Sequence, residues 1–162
     1  GRELARRHGL DFFDADDFFW QATDPPYQKA NERALRWELL SSALRQSDRW
    51  LVAGSLCGWG DGIAPLLEVA IYVTTPTVVR LERLREREGR RFGARVADGG
   101  DMYEQHQKFL DWAAQYDDGS AEMRSRQLHE RWMLGLPGRI VRVNGARPVD
   151  DLCDELANAV AA

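Results

Sequence analysis

Two carboxylates one residue apart, Asp14 and Asp16, close the short run Leu10-Asp11-Phe12-Phe13, and Asp17 follows them directly. In open α/β sheets ligands bind at the carboxyl ends of strands. A pair of acids there suits positioning Mg²⁺ or accepting a proton from a substrate hydroxyl. Asp is equally a favoured helix N-cap, so the same stretch can serve only to start the next helix. A second group is cationic: Arg80, Arg83, Arg85, Arg87, Arg90 and Arg91 fall within twelve residues of a chain whose formal net charge is -4. Planar guanidinium groups bind phosphate bidentately and stabilise charge spread over its equatorial oxygens. The interleaved Glu82, Glu86 and Glu88 make part of this group a salt-bridged solvent face. A third group is the glycine-containing stretch Gly54-Ser55-Leu56-Cys57-Gly58-Trp59-Gly60. Its glycines allow a backbone approach that a Cβ would block, and Ser55 is placed to bond a substrate or a Mg²⁺ water. The alternative is a plain turn with Trp59 as a packing residue. Trp20, Tyr27 and Trp59 offer ring faces for a base or a sugar. His8, His106 and His129 are read as structural, since no second His or Cys completes a metal site.

These residues need elements to hold them, and the hydrophobic pattern supplies an alternating series. Gly1 to His8 reads as the tail of an amphipathic helix, with Leu4 and Ala5 on one face and Gly9 as its stop. Leu10 to Phe13 reads as a strand. Pro25 and Pro26 make Thr23 to Tyr27 a rigid loop, and helix is expected from about Gln28 to Arg45. Trp50 to Ala53 and Val69 to Val73 are nearly continuous apolar runs, as in strands buried on both faces of a parallel sheet. Pro76 opens an Arg-rich helix to about Arg90. Further helices are expected near Met102 to Tyr116 and Ala121 to Leu134, then a strand at Ile140 to Val143 and a helix at Val149 to Val160. Strands separated by helices imply parallel pairing, so the class is α/β, a three-layer α/β/α parallel sheet. Asn144-Gly145 is a turn signal. A βαβ series also leads to the expectation of a strand and turn upstream of Gly1, roughly ten to twenty residues by the usual lengths; the alternative is a native start with a frayed first helix.

Composition narrows the function. At 162 residues, 44% hydrophobic and 30% charged, the chain can bury a core as a single domain over 1–162. With pI near 5.4, it has no global basic field for nucleic acid or an anionic membrane, and neither is an expected partner. Cys57 and Cys153 fit no metal spacing or disulfide framework, and no signal peptide or long apolar segment is present. The expected compartment is a reducing cytoplasm.

The order of these elements, with Asp14-Ala15-Asp16 closing a strand and an Arg-rich helix after a later one, resembles the small P-loop kinases. That group includes the shikimate and gluconate kinases and the adenylate kinase-like nucleoside monophosphate kinases, and the resemblance spans Gly1 to Ala162. Gly1-Arg2-Glu3-Leu4-Ala5 resembles the helix that follows the phosphate-binding loop. The loop itself, GxxxxGK[ST], is not in these residues, and the resemblance places it upstream of Gly1. The resemblance implies an ATP- and Mg²⁺-dependent kinase acting on a small hydroxyl- or phosphate-bearing acceptor. It implies that Asp14 supports Mg²⁺ through water, Asp16 orients or deprotonates the acceptor, and Gly54, Ser55, Gly58, Trp59 and Gly60 form a substrate loop beside Trp20 and Tyr27. Arg83 would stack on adenine and Asn144, Gly145 and Ala146 contact it, while Arg87, Arg90 and Arg91 would clamp phosphate. Arg124 and Arg126 are weaker candidates for a second such pair. A nucleotide acceptor would call for dedicated arginines after Trp20, of which Arg33 and Arg36 are available. Residues 89–120, with Gly89, Gly93, Gly99 and Gly100 as hinges, would form a mobile helical lid. Two alternatives stand beside this: a nucleotide-binding regulatory protein like the topology modulation proteins, with weak or no ATPase activity, and a degenerate domain acting as an interaction module.

Overall fold

The computed structural model describes residues 1–160; the last two residues of the domain expected over 1–162 lie outside the described residues. Helix α1, Arg2–His8, stops where Gly9 adopts φ 62°, a left-handed geometry that glycine reaches without a Cβ penalty. The Leu10 amide then bonds the Ala5 carbonyl at 2.9 Å. Leu4 and Ala5 are buried as the pattern requires, and burying a side chain such as Leu4 contributes roughly 1.5–3 kcal/mol. Strand β1, Asp11–Asp14, passes without a linker into the short helix α2, Ala15–Phe19.

Helix α3, Arg33–Leu44, starts later than Gln28, the expected position. The intervening chain doubles back instead. The Gln21 amide bonds the Lys29 carbonyl and the Asn31 amide the Phe19 carbonyl, each at 2.8 Å, around an antiparallel bridge between Trp20 and Ala30. Main-chain groups engaged in that bridge cannot also open a helix.

Strand β2, Trp50–Ala53, runs parallel to β1 with Asp11 opposite Trp50 and Asp14 opposite Ala53. Strand β3, Val69–Thr74, pairs with β4, Arg139–Asn144. The Arg139 amide bonds the Glu68 carbonyl at one end and the Gly145 amide the Thr74 carbonyl at the other, so both chains ascend together and this pair too is parallel. The class is therefore mixed α/β with short parallel sheets. Among the described residues the strands form two separate pairs rather than one continuous sheet. Apolar runs specify a strand, but not which edge meets which.

The remaining helices are α4, Thr77–Phe92; α5, Tyr103–Ala114; α6, Arg126–Met133; and α7, Val149–Val160. Helix α6 begins several residues after Ala121 because Ser125 fixes it there. The Ser125 hydroxyl accepts from the Leu128 amide at 3.1 Å and donates to the Ser120 carbonyl at 2.7 Å. Short 3-10 turns cover Asp61–Leu66 and Gly93–Val96. No described helix is long and apolar enough to cross a membrane.

The chain divides into two units. The first comprises Gly1–Tyr72, Gly135–Val141 and the segment from Arg147 onward; the second comprises Val73–Leu134 and Arg142–Ala146. The first unit buries Ala15, Leu40, Leu44, Ile63, Cys153 and Leu156 beside Leu4 and Ala5. In it Arg7 joins α1 to α7 through Asp150 and through Asp154 at 2.9 Å. Arg6 and Arg7 also donate to Glu3, holding its carboxyl down to about 2. The second unit buries Val96, Met102, Leu110, Ala113 and Met133. Residues 89–120, expected as a lid, lie within it. Gly89 sits inside α4 rather than at a bend, whereas Gly93 ends that helix with φ 55°.

Candidate functional site

In the first unit the β1–β2 register brings two of the candidate segments together. Asp14 opposite Ala53 means that both strands end on the same side. The chain leaves β2 at Gly54, whose φ is 119°. A Cβ there would stand 2.7 Å from the Ala15 Cβ, so Gly54 permits direct contact with the start of α2. Asp14, half-buried, caps α2: its Oδ1 accepts from the Asp16 amide at 3.1 Å. The cap uses one oxygen of a carboxylate that has about four acceptor positions, so capping does not exhaust it. Asp16 and Asp17 are exposed on the first turn of α2.

The Gly54–Gly60 stretch folds on itself. Trp59 is 5% exposed and its indole N–H donates to the Ser55 carbonyl at 2.9 Å. The Gly60 amide bonds the Leu56 carbonyl at 2.8 Å, and Gly58 turns with φ 78°. Trp59 packs edge-on to Phe19, centroids 6.0 Å apart. Phe19 meets Trp20 at 4.9 Å and Trp20 meets Tyr27 at 5.9 Å, with Trp20 and Tyr27 only half-buried. The expected ring faces thus divide into a covered Trp59 and a partly open Trp20 and Tyr27. Arg36 lies 3.7 Å over the Phe19 ring and donates to the Asn31 carbonyl at 2.6 Å. Arg33 pairs with Asp61 at 3.2 Å.

In the second unit the residues expected around a nucleotide base are assembled. Arg83 donates through Nη1 to the Gly145 carbonyl and through Nη2 to that of Ala146 at 3.0 Å. The exposed Asn144 accepts from the Ala146 amide at 3.0 Å, closing the turn. Gly145 is confined there, since a Cβ would lie 2.6 Å from the Val73 Cγ1. The phosphate candidates are exposed on α4 and just short of its end. Arg87 pairs at 2.9 Å with Glu88, a carboxylate only 7% exposed. Arg90 reaches the Glu86 carbonyl at 3.4 Å, and Arg91 lies 5.0 Å over Phe92. Arg126 pairs with Asp117, and Arg124 lies 5.9 Å from the Trp112 ring centroid.

Sequence reasoning missed a polar cluster at the start of α4. Arg80 donates to Asp117 at 3.0 Å and to the Thr75 carbonyl at 2.9 Å, and Thr77 donates to Asp117 at 2.5 Å. Burial pushes the Asp117 carboxyl up, but the bonds from Thr77 and Arg80 outweigh it and hold the group below its ordinary value. Thr77 and Arg80 at helical spacing were a visible signal; nothing in the sequence singled out Asp117. The Tyr116 hydroxyl meets His129 Nδ1 at 2.7 Å. Burial, then the Arg124 charge, lowers the His129 pKa. His106 is 9% exposed within α5. Among the described residues no group of three or more His, Cys, Asp or Glu stands ready to hold a metal.

Fold and candidate residues together define a mixed α/β protein with acidic residues at the mouth of one parallel strand pair and an arginine-braced turn after another. The chain is 35% identical over 156 residues to YqaC of Bacillus subtilis (strain 168), described as an uncharacterized protein. The match covers 96% of this chain and 86% of that protein, and the chain belongs to its family. No protein-family model matches the chain. No solved structure matches it.

Proposed function

We propose that the protein is an ATP-dependent phosphotransferase with a three-layer P-loop kinase-like fold, passing the γ-phosphate to a small acceptor. The observation that carries this reading is the contact of Gly54 with Ala15, which gathers Asp14, Asp16 and the Ser55 loop at the carboxyl ends of two parallel strands. The first unit then does the acceptor chemistry. Asp16 orients the attacking hydroxyl and takes up its proton, while Ser55 and the loop backbone hold the acceptor. Within the second unit, Arg83 and the turn Asn144-Gly145-Ala146 offer a place for a base, and Arg87, Arg90 and Arg91 offer guanidinium groups suited to phosphate.

Mg²⁺ usually keeps several waters and binds through one or two carboxylates plus substrate phosphates. Asp14, with one oxygen engaged in the cap, fits that demand through water without a three-residue cage. Bound there, the ion would neutralise charge on the phosphates. The reading requires a GxxxxGK[ST] loop to cradle those phosphates, and the 162 residues carry none.

One observation favours the second reading, a nucleotide-binding regulatory protein with weak or no ATPase activity. Arg87, a phosphate candidate, is tied to the buried Glu88, which leaves it less able to follow a moving phosphoryl group. The two readings part on turnover. With the full-length protein, ADP formation from Mg·ATP should depend on an added acceptor, and Asp16→Asn should lower kcat on the order of 10²-fold or more while ATP still binds. Full activity in that variant removes Asp16 from the chemistry. ATP binding with no acceptor-dependent turnover selects the regulatory reading.

A further inference from the structure

The cations of the first unit bear on what the acceptor is. Recognition of a phosphate ester calls for guanidinium groups presented bidentately, or for several backbone N–H groups turned toward the anion. The two arginines that follow the Trp20 segment are already engaged. Arg36 lies over the Phe19 ring, 3.7 Å from its centroid, with its Nε donating to the Asn31 carbonyl at 2.6 Å, and Arg33 is paired with Asp61 at 3.2 Å. Across residues 14–31 and 54–61 the charged side chains are Asp14, Asp16, Asp17, Asp24 and Asp61 against the exposed Lys29. A lysine is a point charge on a flexible stem and not a bidentate fork. A phosphate dianion brought there would meet a net negative field.

What the same segments do present is ring surface beside a carboxylate. Asp16 and Phe19 stand three residues apart on α2, a spacing that places both on one helix face. Phe19 is the hub against which Trp20 and Trp59 pack. Tyr27 extends the row from Trp20 and adopts φ 65°, a left-handed backbone uncommon for a bulky residue. The Gln21–Lys29 and Asn31–Phe19 main-chain bonds hold it in place. Aromatic rings that are half-open and rigidly mounted favour flat bases and the CH faces of sugars.

We infer that the acceptor is an uncharged ring compound bearing a free hydroxyl, a nucleoside or a sugar, and not a phosphate ester. This rests on the kinase reading above. In the reaction the acceptor oxygen forms the new bond to the γ-phosphorus as the bond to the ADP oxygen breaks, and the hydroxyl proton passes to Asp16.

The test uses the full-length protein. Calorimetry with Mg·ATP comes first, and failure to bind it overturns the kinase reading. Given binding, phosphotransfer is measured for matched pairs: adenosine and AMP, cytidine and CMP, thymidine and TMP, glucose and glucose 6-phosphate. The expected result is a kcat/KM at least about 100-fold higher for the unphosphorylated member of one pair, with the nucleoside and glucose arms telling base from sugar. Preference for a phosphorylated member, or transfer to none of the unphosphorylated ones by a protein that binds Mg·ATP, overturns the inference and leaves nucleotide binding standing. Trp20→Ala should raise the acceptor KM roughly 5- to 150-fold, the range that loss of ring stacking gives, with a smaller effect on kcat. Trp20→Phe should restore most of it, and an acceptor KM unmoved in the folded Trp20→Ala protein excludes the ring row.

Discussion

Asp14 carries two tasks that substitution can separate. Its Oδ1 caps α2, and Asn caps a helix about as well as Asp, whereas Ala forfeits about 1 kcal/mol. Asp14→Asn should therefore keep its urea midpoint near that of the parent protein, and Asp14→Ala should lower it. If the carboxylate also supports Mg²⁺, Asp14→Asn should lose ATP-dependent turnover despite its intact fold. An active, stable Asp14→Asn protein would leave capping as its whole purpose. The sequence could pose this alternative but not resolve it, because one Asp-x-Asp spacing serves both a helix start and a metal water shell. Arg83 was legible in a similar way. Its place in a cationic run was evident, but its bonds to the Gly145 and Ala146 carbonyls depend on where β4 ends beside β3.

Elements were read well where one period dominated and poorly where loops had chemistry of their own. Helix α7 and strand β2 match their expected limits, since apolar residues at regular spacing leave little choice. After Trp20 the loop at Thr23 to Tyr27 stands where expected, but the helix does not start at Gln28, because an antiparallel bridge joining Trp20 and Ala30 leaves no periodic trace. Two consequences follow at this level. Gly54→Ala combines a φ of 119° with a Cβ 2.7 Å from that of Ala15, and it should destabilise the protein by about 1–3 kcal/mol, seen as a lower thermal midpoint. An unchanged midpoint would mean that α2 and the loop readily move apart. The second concerns acid. Hydrogen bonds from Arg6 and then Arg7 hold the Glu3 carboxyl at about 2 against an ordinary 4.5. A carboxyl lowered on folding stabilises above its unfolded pKa and loses that contribution as pH falls through the folded one. The Glu3 contribution should be complete above pH 4.5 and fade toward pH 2. Urea midpoints of the parent and Glu3→Gln should converge over that window; a constant gap would place the ion pairs outside the stability of α1.

For the chain as a whole, the alternation of strands and helices sufficed for the α/β class, but not for a division into units that cuts within β3 and β4. Such a division depends on which side chains share a core, and residues 89–120 illustrate it. Five glycines and clustered arginines suggest a lid, yet Val96, Met102, Leu110 and Ala113 are buried there, giving the segment packing of its own. Fixing backbone costs about 1–2 kcal/mol per residue, which arginine contacts to a bound anion would offset. Without nucleotide, amides of residues 90–100 should exchange faster than those of Val69 to Val73, and a Mg-bound ATP analogue should slow them. Equal protection in both states would mark the segment as rigid and its arginines as a solvated helix face.

The contact of Gly54 with Ala15 also bears on how this family can drift. Position 54 has no room for a Cβ while position 15 keeps its own, so the two should vary as a coupled pair across relatives. Bulk at position 15 would be tolerated only where the loop has withdrawn. Relatives that keep small residues at both positions would then be those retaining the acidic mouth of β1, and relatives that lose both together would have abandoned it. A record of that arrangement would thus survive in one glycine and one alanine.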